Sequence, residues 1–179
     1  MSCERPRPTA SRVRIDPPGA GDEDAVIAAN RAARAYHAPY TRPCTDHAAF
    51  AAWLENAAHP ANRSFIAREI ESKALVAVLN LTQIAMGNFC SAYLGYHGYP
   101  QTGGCGLVAE GMTLMLDEAF GKIGLHRIEA NIQPGNAKSI GLVARCGFRK
   151  EGYSPRYLMI DGKWRDHERW AITVEDWRA

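Results

Sequence analysis

Paired cysteines are missing from this chain. Its five, Cys3, Cys44, Cys90, Cys105 and Cys146, are odd in number and no two stand at C-x-x-C spacing. That argues against a disulfide framework or a zinc knuckle and makes a reducing compartment the simplest context. The histidines His37, His47, His59, His97, His126 and His167 contain no H-x-x-x-H pair, so no metal is expected. Long apolar runs are also absent. The most apolar stretch, Ala74–Leu79, falls far short of the roughly 20 residues that cross a bilayer. The opening MSCERPRPTASR carries charges and prolines where a signal peptide needs an apolar segment. A cytoplasmic protein with no membrane partner is expected. An excess of one charge is lacking too: 21 basic against 19 acidic residues leave +2, which gives no reason to expect a direct nucleic-acid role. There is no internal repeat or low-complexity linker, and 179 residues suffice for one domain with its own core.

What is present reads as alternating strands and helices. Residues 1–11 form an aperiodic, proline-bearing tail, and the domain is expected over 12–179. Arg12–Ile15 alternates as a short strand. Asp22 is placed to cap a helix running to about Arg34, and Thr45 to cap a second. Three strands are expected at Ser64–Glu69, Ala74–Thr82 and Phe89–Tyr96, separated by turn-rich segments that suggest an antiparallel meander. A helix over about Leu107–Phe120, a strand at Arg127–Ile132 and a helix over about Asn136–Arg145, stopped by Gly147, come next. The remainder reads as strands at Phe148–Tyr153, Arg156–Ile160 and Lys163–Val174, the last two joined by the hairpin signal Asp161-Gly162. The pattern predicts an α/β fold with one mixed, mostly antiparallel central sheet flanked by helices.

The most informative segment is Gly95-Tyr96-His97-Gly98-Tyr99-Pro100-Gln101-Thr102-Gly103-Gly104-Cys105-Gly106-Leu107-Val108-Ala109-Glu110. A strand runs into a glycine-rich turn that opens a helix, a device whose backbone N–H groups and helix dipole suit a diphosphate. A Walker loop is excluded because no Gly-Lys-Ser/Thr follows. A Rossmann fingerprint fails because no third glycine follows Gly104-Cys105-Gly106. A second segment, Arg127-Ile128-Glu129-Ala130-Asn131-Ile132-Gln133-Pro134-Gly135-Asn136-Ala137-Lys138-Ser139, places Asn136 and Ser139 three apart at a helix start.

Together these segments, the C-G-F at Cys146–Phe148 and the run Arg156–His167 resemble the GNAT superfamily of acetyl-CoA-dependent N-acetyltransferases. Within it the chain is similar to the Rim-type ribosomal-protein-alanine N-acetyltransferases, most closely over about Leu75–Trp177. The superfamily's diphosphate motif, Arg/Gln-x-x-Gly-x-Gly/Ala, matches literally at Gln101–Gly106. A register fixed by Glu110 instead puts Gly103 at the first place and Val108 at the last, leaving no side chain at the first place.

The resemblance implies a GNAT-like fold with acetyl-CoA as cosubstrate and no metal. Its implied contacts are Leu94, Gly95, Tyr96, Asn131, Asn136 and Ser139, together with Gly103, Gly104, Cys105, Gly106, Leu107 and Val108 in the turn. Ser139 or Tyr157 would protonate the departing thiolate. Glu129, Asp166 and His167 are candidates for the base. Tyr36, Asp166 and His167 are candidates for the acceptor slot, between the Tyr36–Tyr40 loop and the Asp161–His167 hairpin. Direct attack is expected, since no activated nucleophile is visible. The expected acceptor is a protein N-terminus, such as that of a ribosomal protein. The alternatives are a small amine or antibiotic, or a CoA-binding interaction protein with little turnover. A homodimer is a further candidate assembly.

Overall fold

Alternating apolar residues build seven strands: β1 (Val13–Asp16), β2 (Arg63–Glu69), β3 (Leu75–Ala85), β4 (Ser91–Gly98), β5 (Arg127–Ile132), β6 (Arg149–Ile160) and β7 (Lys163–Thr173). The helices are α1 (Glu23–Ala32), α2 (Arg34–His37), α3 (His47–Ala58), α4 (Leu107–Glu118), α5 (Ala137–Arg145) and α6 (Val174–Arg178). This computed structural model describes residues 11–178. The expected tail therefore lies outside the described residues except for Ser11. No helix among the described residues is long and apolar enough to cross a membrane.

The strands form one sheet in the order β1-β2-β3-β4-β5-β7-β6. Every neighbouring pair is antiparallel except β4–β5. The crossover through α4 returns the chain parallel to β4, as a parallel pair requires. On one face of the sheet, Met112, Met115 and Leu116 of α4 join Leu79, Leu81, Ile128 and Val143 in the main core. On the other, Val26 of α1 and Phe50 of α3 meet Ile66 of β2. Each such side chain contributes about 1.5–3 kcal/mol on leaving water. Helix α4 lies so close to the sheet that a Cβ on Gly111 would come within 3.1 Å of the Ala67 methyl.

Several local expectations are corrected. The Asp22 carboxylate does not cap α1; it accepts from the Gly19 N–H at 2.8 Å and from Arg68 at 2.6 Å. Helix α3 is capped by Asp46, which accepts from the Ala49 N–H at 2.9 Å, rather than by its neighbour Thr45. The two expected strands Phe148–Tyr153 and Arg156–Ile160 are one strand, β6. Its register against β7 shifts between Ser154 and Leu158, where Pro155 and the left-handed Arg156, φ 48°, interrupt the pairing. Strand β7 ends at Thr173 and a helical turn, α6, follows.

The feature that positions the site is the short reach of the parallel pair. Strands β4 and β5 pair only over Ser91↔Arg127, Ala92↔Ile128 and Tyr93↔Glu129. Beyond that point β4 stays with β3 out to Gly98, and β5 stays with β7 out to Ile132. The facing edges of Leu94–His97 and Ala130–Ile132 thus diverge in the middle of the sheet.

Candidate active site

A cleft of about 180 Å³ occupies this divergence. Leu94, Gly95 and Tyr96 of β4 form one wall, and Asn131 and Ile132 of β5 the other. Asn136 and Ser139 at the start of α5 line it, as do Leu158, Ile160 and His167 of the β6–β7 hairpin, and Tyr40 and Thr41. The Asn131 side-chain oxygen is buried in this wall without a hydrogen-bond partner, a costly state that a donor entering the cleft would relieve. Asn136 caps α5 by accepting from the Ser139 N–H at 3.2 Å. The Ser139 and Tyr96 hydroxyls are in direct hydrogen-bond contact, and burial pushes the Tyr96 phenol up.

At the far end of β4 lies the glycine turn. Gly104 and Gly106 are left-handed, φ 79° and 83°, and a Cβ on Gly104 would meet nothing within 4 Å. Gly106 is the N-cap of α4, whose first intrahelical bond runs from the Glu110 N–H to the Gly106 carbonyl at 3.1 Å. The N–H groups of Leu107, Val108 and Ala109 therefore have no intrahelical acceptor. Such a terminus favours an anion. Gln101 and Thr102 belong to a preceding 3₁₀ turn, and the Thr102 side chain is tucked against the Val76 carbonyl.

The other expected residues are placed as follows. Glu129 stands in the paired part of β5, ion-paired to Arg127 at 2.9 Å. Tyr157 sits in the irregular stretch of β6 with its ring 5.9 Å from that of His167; burial and the Tyr93 hydroxyl push its phenol up. Asp166 accepts from the Tyr153 hydroxyl and from the Arg156 N–H, which together hold its carboxyl below the usual range. His167 is buried and donates Nδ1–H to the Arg165 carbonyl at 3.0 Å, leaving Nε2 as an acceptor; burial lowers its pKa. Tyr36 does not line the cleft; its ring lies beneath Lys138, 4.8 Å from the ammonium. Among the described residues, no group of His, Cys, Asp and Glu is placed to hold a metal ion.

A second cleft, of about 230 Å³, lies on the α1–α3 side of the sheet. Asn30, Arg42, Trp53, Asn80 and His97 line it, and none of the lining residues among those described is a carboxylate. Thr41 borders both clefts. Gly95 pairs with Asn80 across β3–β4, and a Cβ on it would meet nothing within 4 Å. The His97 Nε2 is buried without a partner, and burial next to His37 pushes His97 down to about 3. Arg42, one of the lining residues, holds Asp161 of the β6–β7 turn through two contacts, at 2.7 and 2.5 Å. The sequence pointed to the Tyr36–Tyr40 loop and the Asp161–His167 hairpin, but not to Thr41, Asn80 or His97 as cleft residues. For Asn80 and His97 the available signal was the strand alternation that puts them on one face.

Residues 12–149 match the family model described as the acetyltransferase (GNAT) domain. The chain belongs to the GNAT acetyltransferase family. Among curated relatives of this GNAT chain, the [ribosomal protein uS5]-alanine N-acetyltransferase of Escherichia coli (strain K12) is 41% identical over 107 residues. That match covers 60% of this chain and 55% of the relative, so it spans about half of the curated protein's length. Among solved structures, Mycobacterium smegmatis RimJ in complex with CoA-disulfide superposes with a TM-score of 0.82 at 29% identity, covering 92% of this chain and 83% of that one. Spermidine N-acetyltransferase from Vibrio cholerae, in complex with CoA and spermine, shares the fold with a TM-score of 0.78 at 22% identity, over 93% of this chain and 98% of that one. The divergent GNAT strands, the unpartnered Asn131 oxygen and the free N–H groups at the glycine turn fit a CoA thioester with an amide-bearing arm and a diphosphate.

Proposed function

We propose that this protein transfers the acetyl group of acetyl-CoA directly to the α-amino group of a protein N-terminus. Acetyl-CoA supplies an activated acyl group. The chain binds it along the β4 edge at Leu94, Gly95 and Tyr96, with Asn131 accepting from the arm and the turn from Gly103 to Val108 receiving the diphosphate. A backbone N–H on the diverging edge polarises the thioester carbonyl. Ser139, with Tyr96 behind it, holds a proton for the departing sulfur; Tyr157 is the competing donor.

The observation that carries the choice of acceptor is the 41% identity over 107 residues to a [ribosomal protein uS5]-alanine N-acetyltransferase, beside a second cleft lined by the polar side chains of Asn30, Arg42, Asn80 and His97. The attacking amine must be neutral, because a protonated amine has no lone pair with which to attack the thioester carbonyl. An α-amino group, with a pKa near ~8, sheds its proton for roughly 3 kcal/mol less than a lysine or alkyl amine near ~10.4. No strong base is then required.

Mass spectrometry of mixtures of acetyl-CoA with peptides beginning in Ala or Ser, N-terminally blocked lysine peptides, and small amines tests this. Acetyl on the α-amine is expected. Acetyl found only on lysine or on a small amine overturns the acceptor, and CoA binding without turnover on any amine overturns the enzymatic reading.

A further inference from the structure

The proposed diphosphate turn carries an internal conflict. Glu110 stands in the first turn of α4, where a carboxylate stabilises the helix but repels an anion approaching the same N-terminus. The superfamily motif's first place, at Gly103, offers no side chain to offset it. A cation comes instead from β1's approach, 98 residues away in the chain. The Arg12 Nε donates to the Glu110 carboxylate at 2.8 Å and its backbone N–H to the other oxygen at 2.9 Å. Its Nη2 donates to the Cys105 carbonyl at 2.9 Å, turning that acceptor toward β1. Arg12 is itself anchored, its carbonyl accepting from the Ile70 N–H at 2.8 Å. The guanidinium is so close to the turn that a Cβ on Gly106 would lie 3.5 Å from it.

We propose that Arg12 is a positioning residue for cosubstrate binding: it masks Glu110 and restrains Cys105, so that the glycine turn presents N–H groups and no net negative charge to the CoA diphosphate. This rests on the acetyl-CoA reading above. The Arg12 side chain is 56% exposed, and ion pairs so placed contribute little to stability. Its main effect should therefore appear in cosubstrate affinity.

Calorimetric titration of the full chain with CoA, together with initial rates against acetyl-CoA, tests this. Arg12→Ala should weaken CoA binding roughly tenfold or more, the scale of one charged hydrogen bond, and raise the acetyl-CoA KM while leaving kcat unchanged. Glu110→Gln alone should bind CoA as well as the parent. The double variant Arg12→Ala/Glu110→Gln should recover most of the lost affinity, because no charge is left to unmask. A double variant as weak as Arg12→Ala would reduce Arg12 to a staple between β1 and α4 and overturn the proposal, as would an Arg12→Ala that binds like the parent. If Arg12→Ala does not fold, Arg12→Lys, which keeps the charge but not the fork, should show intermediate affinity. Parental affinity in that variant, or a loss as complete as an unmasked Glu110 would cause, would equally overturn the proposal. A parent chain that binds no CoA at all would sink the acetyl-CoA reading itself.

Discussion

The Ser139 and Tyr96 hydroxyls are hydrogen-bonded, and either can be the donor. A phenol pushed up by burial keeps its proton, so Tyr96 can donate to the serine oxygen and free the serine proton for a sulfur. Ser139→Ala should lower kcat by up to roughly 10²-fold with little change in the acetyl-CoA KM. Tyr96→Phe should do less to the rate and cost about 1 kcal/mol of stability in a denaturant melt. An unchanged kcat in Ser139→Ala beside a large loss in Tyr157→Phe would move the role to Tyr157. His97 offers a residue-level test of burial. Its ordinary value is 6.5 and its folded value about 3, so between them the unfolded chain binds the extra proton. Its contribution to stability is complete above about pH 6.5 and falls as pH drops toward 3, by at most about 1.4 kcal/mol per pH unit. Melting temperatures from pH 6 to 4 should decline less steeply in His97→Leu than in the parent; equal slopes would refute this.

At the scale of elements, the turn into α4 depends on backbone that only glycine adopts without strain. Gly106→Val should destabilise the protein by about 1–2 kcal/mol, the cost of a left-handed conformation for a side-chain-bearing residue, and should remove the heat of CoA binding; retained binding would show that the turn tolerates a side chain. This turn, β5 and the start of α5 were legible in the sequence because their signals are local: glycines beside a helix start, a six-residue alternation, an asparagine cap. The continuity of β6 was not, because Ser154 and Pro155 carry a turn signal that pairing with distant β7 overrides. The capping of α3 by Asp46 rather than Thr45 turned on a one-residue shift between two good caps. The second cleft was illegible for the same reason as β6: Asn30, Thr41, Asn80 and His97 meet only through the register of β3 and β4 and the docking of α1. Likewise, nothing local to Arg12 points to Glu110.

For the whole molecule, two clefts border the sheet and share Thr41 in their linings. Under the proposed reaction the cleft at the diverging strands would take the thioester and the other the amine, which would give the two substrates separate entrances. In steady-state terms neither substrate need wait for the other, and either binary complex is competent to go on. Double-reciprocal plots should intersect rather than run parallel, as they would for an acyl-enzyme. Free CoA should compete with acetyl-CoA yet be noncompetitive against the peptide. Parallel lines would mean an acyl-enzyme, and CoA competing against both substrates would mean that CoA and the peptide exclude one another.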